Sequence, residues 1–149
     1  MNHWLMKTEP DVFSIDDLKR VKVEPWNGVR NYQARNYIRA MHKGDALMIY
    51  HSSCAVPGVA GLAEVAGAPY PDPVQFNPRS EYFDAGSDRA DPRWTLVDVR
   101  FWRKLKRVVT LEEIRALRGL GDFHLVRRGS RLSVMPVTAA QWNAILELE

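Results

Sequence analysis

The chain has 149 residues and a single cysteine, Cys54, so it can bury a core without cross-links and holds neither an intrachain disulfide nor a thiolate metal cluster. Its 21 Lys and Arg against 18 Asp and Glu leave a formal net charge of +3, too mild on its own to specify a polyanionic partner. No run of about 18 apolar residues is present, which excludes a helical membrane span, and Met1-Asn2-His3-Trp4-Leu5 lacks the basic and apolar regions of a secretory signal; a reducing, cytoplasmic setting is expected.

His3 to Lys7 reads as a first strand, ended by Glu9-Pro10 because proline restricts its predecessor and donates no ladder hydrogen bond. Ser14-Ile15-Asp16-Asp17 is a capping box, and the helix it opens ends near Arg20. Ala34, Tyr37, Ile38 and Met41 share one helical face, with Asn31 placed as the N-cap. Gly44-Asp45 marks a turn, Ala46 to Tyr50 a buried strand, His51 to Gly58 a loop, and Val59 to Ala66 a further strand in which Gly61 marks a bulge or crossing. From Gly67 to Pro92, five prolines among aspartates and glycines predict a long irregular excursion, of the kind that serves a function or moves. Trp94 to Trp102 returns to strand. Thr110 and Glu113 form a second capping box for a helix carrying Leu111, Ile114 and Leu117, with Gly119 expected at its C′ position. Arg131 to Val137 is a last strand, and Thr138 with Gln141 opens a closing helix that carries Trp142, Ile145 and Leu146. About five strands and four helices in mixed order, with few tight hairpin signals and no internal repeat or linker, predict one α+β domain over residues 1–149: a small, strongly bent sheet or barrel flanked by helices.

One segment stands apart. Trp26-Asn27-Gly28-Val29-Arg30-Asn31-Tyr32-Gln33-Ala34-Arg35-Asn36 crowds aromatics, amides and guanidiniums around a glycine, more polar edges than a core calls for. Such edges pair with nucleobases, aromatic faces hold bases by stacking, and glycine lets backbone approach a ligand closely. The segment predicts a pocket for one planar, hydrogen-bonding group. Two basic clusters, Arg100, Arg103, Lys104, Lys106 and Arg107, then Arg127, Arg128 and Arg131, extend this to a phosphate-facing surface. Other chemistries find little support. His3, His42, His51 and His124 lack metal-ligand spacing, Ser52 and Ser53 sit in no nucleophile elbow, and no glycine-rich phosphate loop leads into a helix. No metal or cofactor is therefore expected. Cys54 reads as a buried, inert thiol.

Trp4-Leu5-Met6-Lys7-Thr8-Glu9-Pro10, the whole of Trp26 to Asn36, Gly44-Asp45, Tyr50-His51-Ser52, Tyr70-Pro71-Asp72, the Trp94 to Val99 strand and Arg131-Leu132-Ser133-Val134 closely resemble the EVE domain, in order and across nearly the whole chain. The resemblance implies a PUA-like fold, a bent β-barrel of about five to six strands with helices packed around it, and kinship with YTH domains, which capture a methylated adenine in an aromatic cage. It implies a module that reads a modified base in DNA or RNA; the sequence does not set the oligomeric state, and a monomer is favoured. The pocket positions it implies are Lys7 and Thr8, then Trp26, Val29, Arg30, Asn31 and Tyr32, then Tyr50, His51 and Ser52, with Asp98, Arg131 and Ser133 as additions. Where a YTH cage has a tryptophan soon after Gly-Val, this chain has Arg30, so polar readout of a modified cytosine stands beside an aromatic cage. In this reading Trp26 and Tyr32 sandwich the base, while Arg30, Asn31 and Ser52 read its edge. A rival reading is an enzyme on RNA or nucleotides with His51, Lys7 and Asp98 as acid–base groups; another is a partner-binding module built on the proline-rich loop.

Overall fold

The computed structural model describes residues 1–149. Its centre is one curled six-stranded sheet: β1 (His3–Thr8), β2 (Val23–Pro25), β3 (Ala46–His51), β4 (Gly58–Val65), β7 (Asp98–Thr110) and β8 (Val134–Val137), in the spatial order β2-β7-β4-β3-β1-β8. Two short strands, β5 (Tyr70–Pro71) and β6 (Thr95–Leu96), form a separate ribbon. Four helices, α1 (Ile15–Val21), α2 (Tyr32–Arg39), α3 (Leu111–Ala116) and α4 (Ala139–Leu146), flank the sheet. This mixed α/β half-barrel is the PUA-like architecture. None of the helices is long and apolar enough to cross a membrane.

β3 lies between β4 and β1 and is buried from Ala46 to Tyr50, which explains its unbroken apolar run; its pairing with β1 is parallel, and every other pair in the sheet is antiparallel. The sheet curls at register shifts between Ile49 and Tyr50, Val59 and Gly61, and Leu62 and Ala63. Gly61 is where α1 seats: a Cβ there would lie 2.4 Å from Ile15 Cδ1.

All three expected capping boxes form, at Ser14/Asp17, Thr110/Glu113 and Thr138/Gln141. Other boundaries differ from expectation. β2 was not anticipated, because Val23-Glu24-Pro25 is a strand only through its pairing with Asp98–Arg100. β7 runs on to Thr110 instead of ending near Trp102, since its alternation of inward and outward residues continues through the basic cluster. β8 begins at Val134 rather than Arg131. α3 ends with Leu117 in extended conformation, so Gly119, although its φ is +72°, lies beyond the C′ position.

The long excursion is ordered by a polar hub. Fully buried Gln75 donates Nε2 to the carbonyls of Asp72 (2.6 Å) and Trp94 (3.0 Å), while its Oε1 accepts from Ser87 Oγ (2.6 Å) and Trp94 N (3.2 Å). α2 holds the far end: Arg35 donates to the Arg93 carbonyl, and Arg39 to Thr95 Oγ1 and the carbonyls of Pro92 and Arg93.

Candidate functional site

A cavity of about 530 Å³ opens where the end of β1, the turn before α1, β2 and the loop from β2 to α2 meet. That is the size range of small-molecule sites. Lys7 and Thr8 enter from β1, Phe13 from the turn, Glu24 from β2, Trp26 to Arg30 from the loop, Glu81 and Tyr82 from the long excursion, and Ser133 from the segment before β8.

The wall is fixed by bonds between segments remote in sequence. The Lys7 N–H donates to the Ser133 carbonyl (2.9 Å), the Trp26 N–H to the Val97 carbonyl (2.9 Å), and Thr8 Oγ1 to the Phe13 carbonyl (2.6 Å). Trp26 is only 9% exposed and meets Phe13 edge to face at 5.9 Å, so one margin of the indole faces the cavity while the rest is core. Gly28 has a φ of +84°, and a Cβ there would come within 2.8 Å of the Tyr82 ring; glycine is what lets that ring close on the loop. Fully buried Asp72 accepts from Gly28 N (2.9 Å), Arg30 Nη1 (3.0 Å) and Val74 N (2.9 Å). Arg30 also donates from Nε (3.0 Å) and Nη2 (2.8 Å) to the Tyr82 carbonyl and from Nη1 to its own neighbour's carbonyl, at Val29 (3.0 Å). Four of the five guanidinium N–H groups are thereby engaged.

Charge in the cavity is distributed otherwise. None of the ion pairs in the molecule includes Lys7, Glu9, Glu24 or Glu81. Burial lowers the Lys7 ammonium pKa, and its Nζ stands 5.7 Å from the centroid of the Tyr50 ring. Burial raises the Glu24 carboxyl, against a smaller pull from Arg20. The Tyr82 phenol is raised by burial and then by Glu81.

Of the pocket residues expected from sequence, the structure brings together Lys7, Thr8, Trp26, Val29, Arg30 and Ser133. Arg30 is there as a strut rather than as a free reader of a base edge. The others lie off this wall, each for a visible reason. Asn31 Oδ1 caps α2 by accepting from Ala34 N at 3.0 Å. Tyr32, on the outside of α2, stacks on Trp94 at 5.0 Å. Tyr50 is buried beside Lys7 on β3. His51 Nε2 accepts from the first N–H of α1, at Ile15 (3.1 Å), and Ser52 N extends the β1–β3 pairing by donating to the Thr8 carbonyl (2.9 Å). Asp98 accepts from the Tyr70 hydroxyl (2.7 Å), a phenol pushed up to about 12 by burial and by that carboxylate. Arg131 is exposed in the segment before β8. Asn31, Ser52 and Tyr32, expected to read or stack on a base, are thus not among the residues that line this cavity. Nor are Lys7, His51 and Asp98 assembled into one acid–base site. Phe13, Glu24, Asn27, Glu81 and Tyr82 carry no site signal in the sequence: only Asn27 lies inside the signature segment, Phe13 comes from the turn after β1, and Glu24, Glu81 and Tyr82 are brought in by contacts remote in sequence.

The basic strip of β7 is a row of ion pairs rather than bare cations. Arg100 pairs with Glu64, Arg103 with Glu149, Lys104 with Asp16 and Arg107 with Glu113. The bidentate grips of Arg107 and Arg103 hold the carboxyls of Glu113 and Glu149 down at about 2. Arg127 pairs with Asp122. Lys106, Arg128 and Arg131 enter no ion pair and keep their charges open to solvent.

Fold and site define a PUA-like domain with an aromatic and polar cavity walled by its sheet ends and connecting loops. The chain belongs to the EVE domain family, whose profile matches residues 2–148. It is 41% identical to mouse thymocyte nuclear protein 1 over 167 aligned residues, which take in 99% of this chain and 74% of that protein. A solved protein from Pseudomonas syringae shares 49% identity at a TM-score of 0.94, over 98% of each chain. The human THYN1 protein, solved in complex with 5-methylcytosine-containing DNA, superimposes with a TM-score of 0.92 at 38% identity, covering 99% of this chain and 97% of its own.

Proposed function

We propose that this chain is a non-enzymatic reader of a modified base, methylated cytosine foremost, that takes the base out of the DNA stack into the cavity beside Trp26. The observation that carries the reading is the cavity. It is lined by the aromatic groups of Phe13, Trp26 and Tyr82 and by the polar side chains of Lys7, Glu24, Asn27 and Ser133. The relative solved with methylated DNA supports it. Extruding a base costs a few kcal/mol, least for a mismatched or single-stranded one, and aromatic contact returns roughly 1–3 kcal/mol per stacked ring. The two nearly cancel, so discrimination rests on hydrogen bonds and on the shape around the modification. Arg128 and Arg131, close in sequence to Ser133 of the wall, supply phosphate contacts.

The test is a competition panel by fluorescence anisotropy. Matched DNA and RNA oligonucleotides carry 5-methylcytosine, N6-methyladenine or the unmodified bases, at two salt concentrations. The expected result is a preference for the DNA with 5-methylcytosine, weakened about 5- to 150-fold by Trp26→Ala or Tyr82→Ala. Because Trp26 also packs on Phe13, melting curves accompany each variant. Unchanged affinity in a folded Trp26→Ala protein removes that residue from the reading. A steep salt dependence with no preference among bases leaves phosphate binding alone.

A further inference from the structure

The cavity holds opposite charges that do not neutralise each other. Lys7 and Glu24 both line it, both are partly withdrawn from water, and neither is ion-paired. Partly dehydrated charges without partners are costly, so such an arrangement is complementary to a ligand that brings its own donor and acceptor. The remaining charged groups of the wall differ. Arg30 is committed to Asp72 and the Tyr82 carbonyl, while Glu9 and Glu81 are exposed at the rim. Glu24 is held on β2 by register with Val99, and Lys7 on β1 by register with Tyr50, so both stems rise from the sheet rather than from loops.

Bases divide by the edge they present. Cytosine and adenine show an exocyclic amine beside a ring-nitrogen acceptor. Thymine, uracil and guanine show a carbonyl beside a ring N–H. A carboxylate and an ammonium facing the same cavity can meet the first order and oppose the second. The distinction matters for a reader of methylated cytosine, because thymine carries the same 5-methyl group and differs on this edge alone.

We propose that Glu24 and Lys7 form the couple that admits amino bases and rejects keto bases: the Glu24 carboxylate accepts from the exocyclic amine, and the Lys7 ammonium donates to the adjoining ring nitrogen or carbonyl. The proposal rests on the base-reading function above and names the chemical class of base that the site takes.

The experiment uses the full chain and three oligonucleotides identical except at one position: 5-methylcytosine, thymine or cytosine. Wild type binds the 5-methylcytosine strand at least about tenfold more tightly than the thymine strand. In Glu24→Gln the amide can turn either its oxygen or its nitrogen to the base, so the ratio falls at least about fivefold, towards one, partly through gained thymine binding. Glu24→Ala loses 5-methylcytosine affinity and gains none for thymine. Lys7→Met, which keeps most of the stem, weakens 5-methylcytosine binding and leaves the salt slope unchanged. A Lys7→Met protein that binds all three strands equally less well, with a slope reduced by about one, places Lys7 on a phosphate and overturns its half of the couple. An unchanged 5-methylcytosine-to-thymine ratio in folded Glu24→Gln, with wild-type preference and the Trp26 effect intact, overturns the couple alone. Absence of both the preference and the Trp26 effect in the wild-type series overturns the base-reading function itself.

Discussion

Asp72→Ala strikes the joint that holds the outer wall of the cavity. The carboxylate is fully buried, and its loss strands the N–H groups of Gly28 and Val74 and one face of the Arg30 guanidinium. Removing one partner of a fully buried pair costs roughly 3–5 kcal/mol. The Arg30 side chain is 21% exposed, so water recovers part of that, and about 2–4 kcal/mol is the working figure. At about 2.1 cal/mol/K of unfolding entropy per residue, a chain of this length should melt about 6–13 °C lower. Urea unfolding with an unchanged m value, followed by circular dichroism, measures the loss directly. Asp72→Asn, which keeps the shape and one acceptor, should lose about 1–2 kcal/mol. A double-mutant cycle with Arg30→Met should return a coupling of about 1–3 kcal/mol. A loss below about 1 kcal/mol for Asp72→Ala, or strictly additive effects in the cycle, would refute the argument that this pair anchors the excursion to the signature loop.

Gly28→Ala combines a positive φ with a 2.8 Å approach to the Tyr82 ring, and should both lower stability by about 1–2 kcal/mol and weaken oligonucleotide binding, as read by melting and anisotropy. Asn31→Ala should cost about 1 kcal/mol of stability through the lost cap on α2 while leaving the preference among bases intact; Asn31→Asp should restore the stability. Burial sets the His51 pKa below its ordinary 6.5, with Asp16 opposing and Lys104 assisting, and Nε2 can accept from Ile15 N only while it is unprotonated. A folded value below the unfolded one means that this stability is fully present above pH 6.5 and is lost as pH falls through the lowered value. Urea midpoints from pH 8 to 5 should fall, and less so in His51→Gln. Arg128→Ala and Arg131→Ala should each reduce the slope of log affinity against log salt by about one, whereas Arg103→Ala and Arg107→Ala, whose charges face Glu149 and Glu113, should change it less.

The parts of the fold legible in the sequence are those decided within a few residues or by an unbroken pattern. Ser14 and Asp17, Thr110 and Glu113, and Thr138 and Gln141 cap helices because both partners of each box lie one turn apart. β3 was legible because a central strand is apolar on both faces. β2 was not, because a three-residue edge strand containing proline has no pattern of its own and is defined by β7. The ion pairs of the basic strip were not legible for a related reason. The cations fall within eight residues, but their acids come from α1, β4, α3 and the C-terminus, as far as 88 residues away for Lys104 and Asp16.

The amide and guanidinium content of residues 26–39 has a structural use that sequence alone did not disclose. An irregular excursion leaves carbonyls without ladder partners, and each needs a donor. Arg30 covers Tyr82, Arg35 covers Arg93, and Arg39 covers Pro92 and Arg93 while also binding the Thr95 hydroxyl. A planar group with five N–H donors serves several such carbonyls at once, which a lysine cannot do with the same geometry. Much of what resembles a nucleobase-pairing surface is therefore the clamp on the loop that completes the cavity. Under the proposed function, reading a base falls to the wall groups that this clamp leaves free. Lys7 and Glu24 stand outside the segment that first drew attention, and neither is engaged in an ion pair. The signature segment builds the cavity and gives it an indole edge, while the strands on either side of it supply the charges to which the proposal assigns the choice between heterocycles.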